Sequence, residues 1–277
     1  MQEDQKVSCT KPRLNADEVK RYHQEGYLLY NKPVFPMEEF VALQKHFDEL
    51  LANLPSDERP EMMDVPHFMD TGLFRWAFSD AALDLIEPIL GPDIILFSTH
   101  FICKPKGDGR RVPWHEDSSY WRGMIHPMNV ATIWLALDPS TEENGCMKVI
   151  PRTHNTGKGG YSDYGDVDQS KNIFPTEVLP EQRKDTHAVS CILQENECSI
   201  HDGRLMHGSE PNSSDKRRCG WTLRYASSDV VMAEEFYLKH NMYLARGKNL
   251  SEKYLADPNK TYPEVIEERK KQNMRGH

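Results

Sequence analysis

The chain has 277 residues, with 34 lysines and arginines against 43 aspartates and glutamates and a formal net charge of -9. Phosphate binding needs a basic footprint, so this balance disfavours nucleic acid or an anionic membrane surface as the main partner, while leaving room for a local basic patch. No apolar run approaches the roughly 20 residues of a membrane span, and the polar opening Met1–Thr10 has no signal-peptide character. The expectation is a soluble, cytoplasmic protein that acts on a small-molecule substrate, with no nucleic-acid or membrane partner and no oligomeric state implied.

Nothing marks a linker, so one domain is expected over 1–277: a mostly helical scaffold (1–92), a β core (93–230) and a C-terminal extension (231–277). The first element is a helix. Asn15 is its N-cap, Glu18 stands in capping-box position, and Val19, Tyr22 and His23 continue at helical spacing to Gly26. A short strand, Tyr27–Tyr30, precedes a helix from Pro36 to Asn53 with Phe40, Leu43, Phe47, Leu50 and Leu51 on one stripe. Leu54–Leu73 lacks periodicity and reads as a long loop of the kind that carries function. A third helix, Trp76–Leu90, stops at Gly91-Pro92.

Strands dominate afterwards. Ile94–Cys103, Val130–Leu137, Cys146–Ile150, Val189–Ile192, Glu197–Ile200 and Cys219–Tyr225 are short, β-branched or aromatic, and bounded by turn residues. Helices first and strands later make an α+β chain around a sheet sandwich or barrel. The segment Asn155–His187, with Gly157, Gly159 and Gly160, reads as an insert, and Tyr262–His277 as a charged helix or tail. Cys9, Cys103, Cys146, Cys191, Cys198 and Cys219 form no CxxC pair and read as buried thiols.

His115-Glu116-Asp117 and, 92 residues on, His207 can supply two imidazoles and one carboxylate to a single metal, the set that holds non-haem Fe(II) with open positions. Alternating residues of a strand point the same way, so His115 and Asp117 would face one ion and Glu116 would face away. A lone His-x-Asp arises often by chance. Here Lys104 lies eleven residues before His115, and Arg218 eleven residues after His207.

These blocks carry a family resemblance. Leu14–Tyr30, Phe101–Pro105, Trp114–Asp117, Trp134–Asp138, Glu143–Pro151 and His207–Ser209 are similar, in the same order, to the phytanoyl-CoA hydroxylase (dioxygenase) family of Fe(II)- and 2-oxoglutarate-dependent oxygenases, which includes ectoine hydroxylase. The resemblance implies a double-stranded β-helix, a jelly-roll or cupin-like core, with N-terminal and outer supporting helices. It implies Fe(II) on His115, Asp117 and His207 as the catalytic centre, and 2-oxoglutarate and O2 as co-substrates. Arg218 would pair with the distal carboxylate of 2-oxoglutarate through two parallel donors, with Lys104, Trp134 and Ser209 nearby. Related halogenases have a small residue where this chain has Asp117, so hydroxylation is implied.

Four further residues are substrate candidates. Tyr120 and Trp121 resemble the family's aromatic pair, with core packing as the alternative reading. His154 ends a block that reads Pro151-Arg152-Thr153-His154, where the family usually has Pro-Gly-Ser-His. Arg152 is therefore either an exposed arginine or a cation for an anionic substrate group. Lys106, Arg110, Arg111 and Arg122 flank the motif as a basic cluster in an acidic chain. His23, His46, His67, His126, His187, His201, His240 and His277 read as surface or core residues without a named partner. The resemblance extends to members acting on coenzyme A thioesters, on ectoine and on 2-aminoethylphosphonate. The cations and the polar insert favour a small anionic or zwitterionic substrate such as the last, an organophosphonate. Its α-carbon hydroxylation with release of succinate and CO2 is what the resemblance implies. The alternatives are an acyl-CoA or other metabolite hydroxylase, a non-catalytic metal-binding barrel and a hydrolytic zinc enzyme.

Overall fold

The computed structural model describes residues 12–156, 161–251 and 254–275. The expectations for Met1–Thr10, Cys9, Gly157, Gly159, Gly160 and His277 lie outside these residues. Local chemistry sets the first elements. The Ala16–Glu25 helix opens on a reciprocal capping box, in which the Glu18 N–H donates to the Asn15 side chain and the Asn15 N–H donates to the Glu18 carboxylate. Gly26 ends it in the left-handed region, at φ 84°. The strand Tyr27–Tyr30 and the helix Met37–Ala52 follow as expected, the helix burying Phe40, Leu43 and Phe47 on one stripe.

The expected Trp76–Leu90 helix is two helices, Phe74–Ala77 and Asp80–Leu90. Ser79 separates them with extended backbone, and its hydroxyl donates to the Trp76 carbonyl at 2.8 Å. Side-chain bonding of this kind competes with helical hydrogen bonds. The expected Leu54–Leu73 loop holds three short 3-10 turns and a strand, Met63–Asp64, paired with Phe101 and His100. Among the described residues, no helix is long and apolar enough to cross a membrane.

Two open antiparallel sheets, of seven and four strands, dominate the β half beside two two-stranded pairings among the described residues. The larger runs Tyr27–Tyr30, Cys198–Asp202, Val130–Ala136, Arg218–Ser227, Ile94–Lys104 and Tyr243–Arg246, with Met63–Asp64 added to the Ile94–Lys104 strand. The smaller runs Val189–Ser190, Met147–Val149, His207–Ser209 and Val112–His115. Cys219, Trp221, Leu223 and Tyr225 belong to the main hydrophobic core shared with the helices. By strand alternation, Arg218, Gly220, Thr222 and Arg224 face the smaller sheet. Trp134, Ala136, Met147, Val149 and Leu205 pack as a separate apolar layer drawing on both sheets.

Several elements lack a sequence signal. Val112–His115 and His207–Ser209 are too short, and too broken by Pro113 and Gly208, for a two-residue period to register. Inside the expected insert, Tyr164–Asp166 and Thr176–Val178 form a hairpin. Of the two readings for Tyr262–His277, a charged helix or a tail, the described residues take the first, as the helix Pro263–Arg275.

Trp221 is fully buried and stacks on Phe101 at 5.2 Å, while its indole N–H has no partner among the described residues. Trp221→Ala is expected to cost about 3–5 kcal/mol by urea denaturation. Trp221→Phe keeps the stack and removes an unsatisfied donor, so it should cost less than about 1.5 kcal/mol.

Candidate active site

His115 and His207 are register partners across the smaller sheet. The strand expected to carry both His115 and Asp117 ends at His115, and Asp117 opens a 3-10 turn, Asp117–Trp121. Glu116 between them is still extended, at φ -112° and ψ 130°, so the alternation carries through. Glu116 faces away, its carboxylate accepting from the Ser162 N–H, the Ser162 hydroxyl and the Tyr164 hydroxyl at 2.7–3.2 Å. Asp117 faces inward: its Oδ1 lies 3.9 Å from Nε2 of His115 and 4.0 Å from Nε2 of His207. One ligand atom from each of these buried residues lies within 4.8 Å of the others.

The imidazoles are oriented by the backbone. Nδ1 of His115 faces the Pro113 carbonyl at 2.8 Å, and Nδ1 of His207 faces that of Leu205 at 2.9 Å. A carbonyl only accepts, so Nδ1 carries the proton and the Nε2 lone pairs point inward. Burial lowers both pKa values, with the His115 and His201 rings lowering that of His207 further. Burial alone would raise the Asp117 carboxyl, but Arg224 foremost, then His201 and His207, holds it well below its ordinary range. The Arg224 pairing is forked, with Nε donating to Oδ2 at 3.0 Å and Nη2 to Oδ1 at 3.1 Å. Two neutral imidazoles and one ionised carboxylate are a donor set that fits a divalent metal.

A second buried guanidinium has no such partner. Arg218, 1% exposed, donates to the carbonyls of Gly145 (2.9 and 3.2 Å) and Ile102 (3.3 Å) and to the Ser209 hydroxyl (3.4 Å), and lies over the Trp134 ring. Among the described residues, no carboxylate bonds to it. Burial pulls its pKa down from the ordinary value to about 10. Gly220 makes room beneath: a Cβ there would stand 2.0 Å from the Trp134 indole.

Arg218, Ser209, Trp134, His115 and His207 line a narrow cavity of about 30 Å³ with walls from both sheets. A larger cavity of about 590 Å³ is lined by Asp117, Tyr120 and Trp121. The two share Phe174 and Arg224. Lys104 lines neither; it stands opposite Arg218 in register, but its ammonium donates to the Glu210 carbonyl. Arg152 also lies outside both cavities, exposed and paired with Glu25 at 2.7 Å, so its exposed-arginine reading holds. His154 is buried against Gly26, with Nε2 facing the His23 carbonyl.

The phytanoyl-CoA dioxygenase family model matches residues 14–220. The chain belongs to the phytanoyl-CoA dioxygenase family. It is 27% identical over 167 residues to a Dictyostelium discoideum phytanoyl-CoA dioxygenase domain-containing protein 1 homolog, covering 59% of this chain and 57% of that protein. It is 28% identical over 168 residues to a probable alpha-ketoglutarate-dependent hypophosphite dioxygenase of Stutzerimonas stutzeri, covering 60% of this chain and 56% of that one. The alignments thus span about half the length of these curated relatives. Among solved structures, the apo form of the non-heme monooxygenase ThoJ shares the fold with a TM-score of 0.70 at 21% identity, covering 94% of this chain and 95% of that one.

Three residues of this family member escaped the sequence reading. Arg224 had a usable signal, since it is six residues after Arg218 in one strand and so on the same face. His201 had a similar one in the strand Cys198–Asp202. It is buried with Nε2 3.8 Å from Oδ2 of Asp117, and neither ring nitrogen has a hydrogen-bond partner among the described residues. Phe174, edge-on to His115 at 5.1 Å, comes from the insert and had no signal. Breaking a buried ion pair leaves an uncompensated charge, so Arg224→Met should destabilise the metal-free protein by about 3–5 kcal/mol. Adding Asp117→Asn should recover most of that loss by urea denaturation; no recovery would mean that Arg224 acts through packing alone.

Proposed function

We propose that this chain is an Fe(II)- and 2-oxoglutarate-dependent hydroxylase of an organic anion, built on a double-stranded β-helix formed by its two sheets. The observation that carries this reading is Arg218, a buried guanidinium without a carboxylate partner among the described residues, sharing one cavity with the two imidazoles. Burying a charge is costly unless it is paired, and a dicarboxylate co-substrate supplies the missing partner. His115, Asp117 and His207 would hold the metal. When bound, iron with 2-oxoglutarate supplies the activation of dioxygen, with succinate and CO2 formed as a substrate C–H becomes C–OH.

The chain's own residues have distinct tasks in this reading. Arg218 turns its forked donors from the Gly145 and Ile102 carbonyls to the distal carboxylate, and Ser209 adds a hydroxyl beside it. Trp134 supports the guanidinium from below. Arg224 keeps Asp117 ionised and oriented, while Tyr120 and Phe174, 5.8 Å apart, screen His115 from the larger cavity. That cavity is the place for substrate, with Tyr120 and Trp121 in its wall.

For the substrate, an organophosphonate is the reading that the cations around the motif favour. The Stutzerimonas relative is named for hypophosphite, another phosphorus oxyanion. The basic cluster is only partly aimed at the cavity: Arg111 pairs with Glu177, Arg122 lies over the Tyr161 ring, and Arg110 alone of the four lines the wall. The volume exceeds what 2-aminoethylphosphonate would fill, which favours a larger phosphonate.

Oxygen uptake with Fe(II) and ascorbate is expected to require 2-oxoglutarate and to release succinate. Arg218→Met should weaken 2-oxoglutarate binding by about 10- to 100-fold, the worth of a charge-assisted hydrogen-bond pair. Turnover without 2-oxoglutarate would return the chain to the hydrolytic zinc reading. Iron binding with no oxygen uptake would return it to the non-catalytic module.

A further inference from the structure

The larger cavity, at about 590 Å³, has the volume of roughly 20 liquid waters. Cavities of about 300–1,000 Å³ enclose medium-sized organic ligands. Met62, Met124, Ile173 and Phe236 give it apolar wall, and four cations, Arg110, Arg224, Lys239 and Arg269, line it with two carboxylates, Asp64 and Asp117. Both carboxylates are already matched, Asp117 by Arg224 and Asp64 by Arg269. His100 and His240 in the same wall add no charge at neutral pH, because burial lowers both. Two cations remain.

Arg110 and Lys239 are half-buried, and neither side chain meets a carboxylate among the described residues. Their backbones are nevertheless anchored. The Arg110 backbone N–H donates to the Glu61 carboxylate at 3.1 Å, and the two oxygens of that carboxylate are taken by the Arg59 guanidinium at 2.8 and 3.0 Å. The Lys239 carbonyl accepts from Arg269 Nη1 at 2.8 Å. A fork of donors and a point charge, both from the lining of one cavity and both unmatched among the described residues, suit one tetrahedral oxyanion carrying two charges. A single carboxylate would leave one cation over.

We propose that Arg110 and Lys239 grip a phosphorus dianion, phosphonate or phosphate ester, at one end of an amphipathic substrate whose apolar body occupies the rest of the cavity. The word substrate rests on the hydroxylase reading; the binding site does not.

The probes are octylphosphonate, octyl phosphate, nonanoate, methylphosphonate and octanol, titrated by calorimetry without oxygen into the chain loaded with Fe(II) and 2-oxoglutarate. One of the two octyl anions is expected to bind at least about tenfold more tightly than methylphosphonate or octanol, and which one binds names the source of the dianion. R110Q/K239Q should lose about tenfold or more of that affinity while its melting temperature and 2-oxoglutarate affinity hold, and R110K should retain most of it. Equal binding of methylphosphonate, tighter binding of nonanoate, or an unchanged octyl-anion affinity in R110Q/K239Q overturns the inference. Should 2-oxoglutarate fail to bind while the octyl anion still does, the hydroxylase reading falls and the anion site stands.

Discussion

The burial of two guanidiniums on one face of one strand is the constraint from which the site follows. Between two sheets a positive charge is tolerated only where something repays its lost hydration. Arg224 is repaid by Asp117, which is thereby kept ionised and turned toward the two imidazoles. Among the described residues, Arg218 is repaid by carbonyl dipoles, a hydroxyl and the face of Trp134, a weaker arrangement that a carboxylate improves. The same strand thus completes one electrostatic pair and leaves the other open.

Around that strand, rigid and irregular parts divide the work. The residues that would hold metal and co-substrate sit in sheet strands or within two residues of one, where backbone pairing fixes them. The larger cavity takes Asp64, Ser98, His100 and Arg224 from the sheet but adds Met62 from the irregular stretch before it, Phe174 from the insert, and Lys239 and Arg269 from the C-terminal part. Scaffolds of this kind vary their ligands through loops while the chemistry stays in place.

The sequence was most legible where one local rule decides the outcome. The capping box at Asn15 and Glu18 and the stop at Gly26 needed only neighbours in the chain. His115, Asp117, His207 and Arg218 were legible through the ordered blocks around them, and the alternation argument placed Glu116 correctly even though its strand ends one residue earlier. Arg152 could be read either as an exposed arginine or as a substrate cation, because the partner that bears on the choice, Glu25, lies 127 positions away. Arg110 was legible only as one of four clustered cations, and Lys239 not at all, for the same reason: that a cation lacks a partner depends on every carboxylate the fold brings near it.

Gly220 and Trp134 lock two neighbouring strands in a way that bears on inheritance. With an indole standing 2.0 Å from where a side chain would begin, no larger residue fits at 220 while tryptophan occupies 134. Descendants of this sequence can change the pair only together or through an intermediate in which the aromatic ring shrinks first. The floor under Arg218 should therefore drift more slowly than the cavity walls, and the two positions should co-vary.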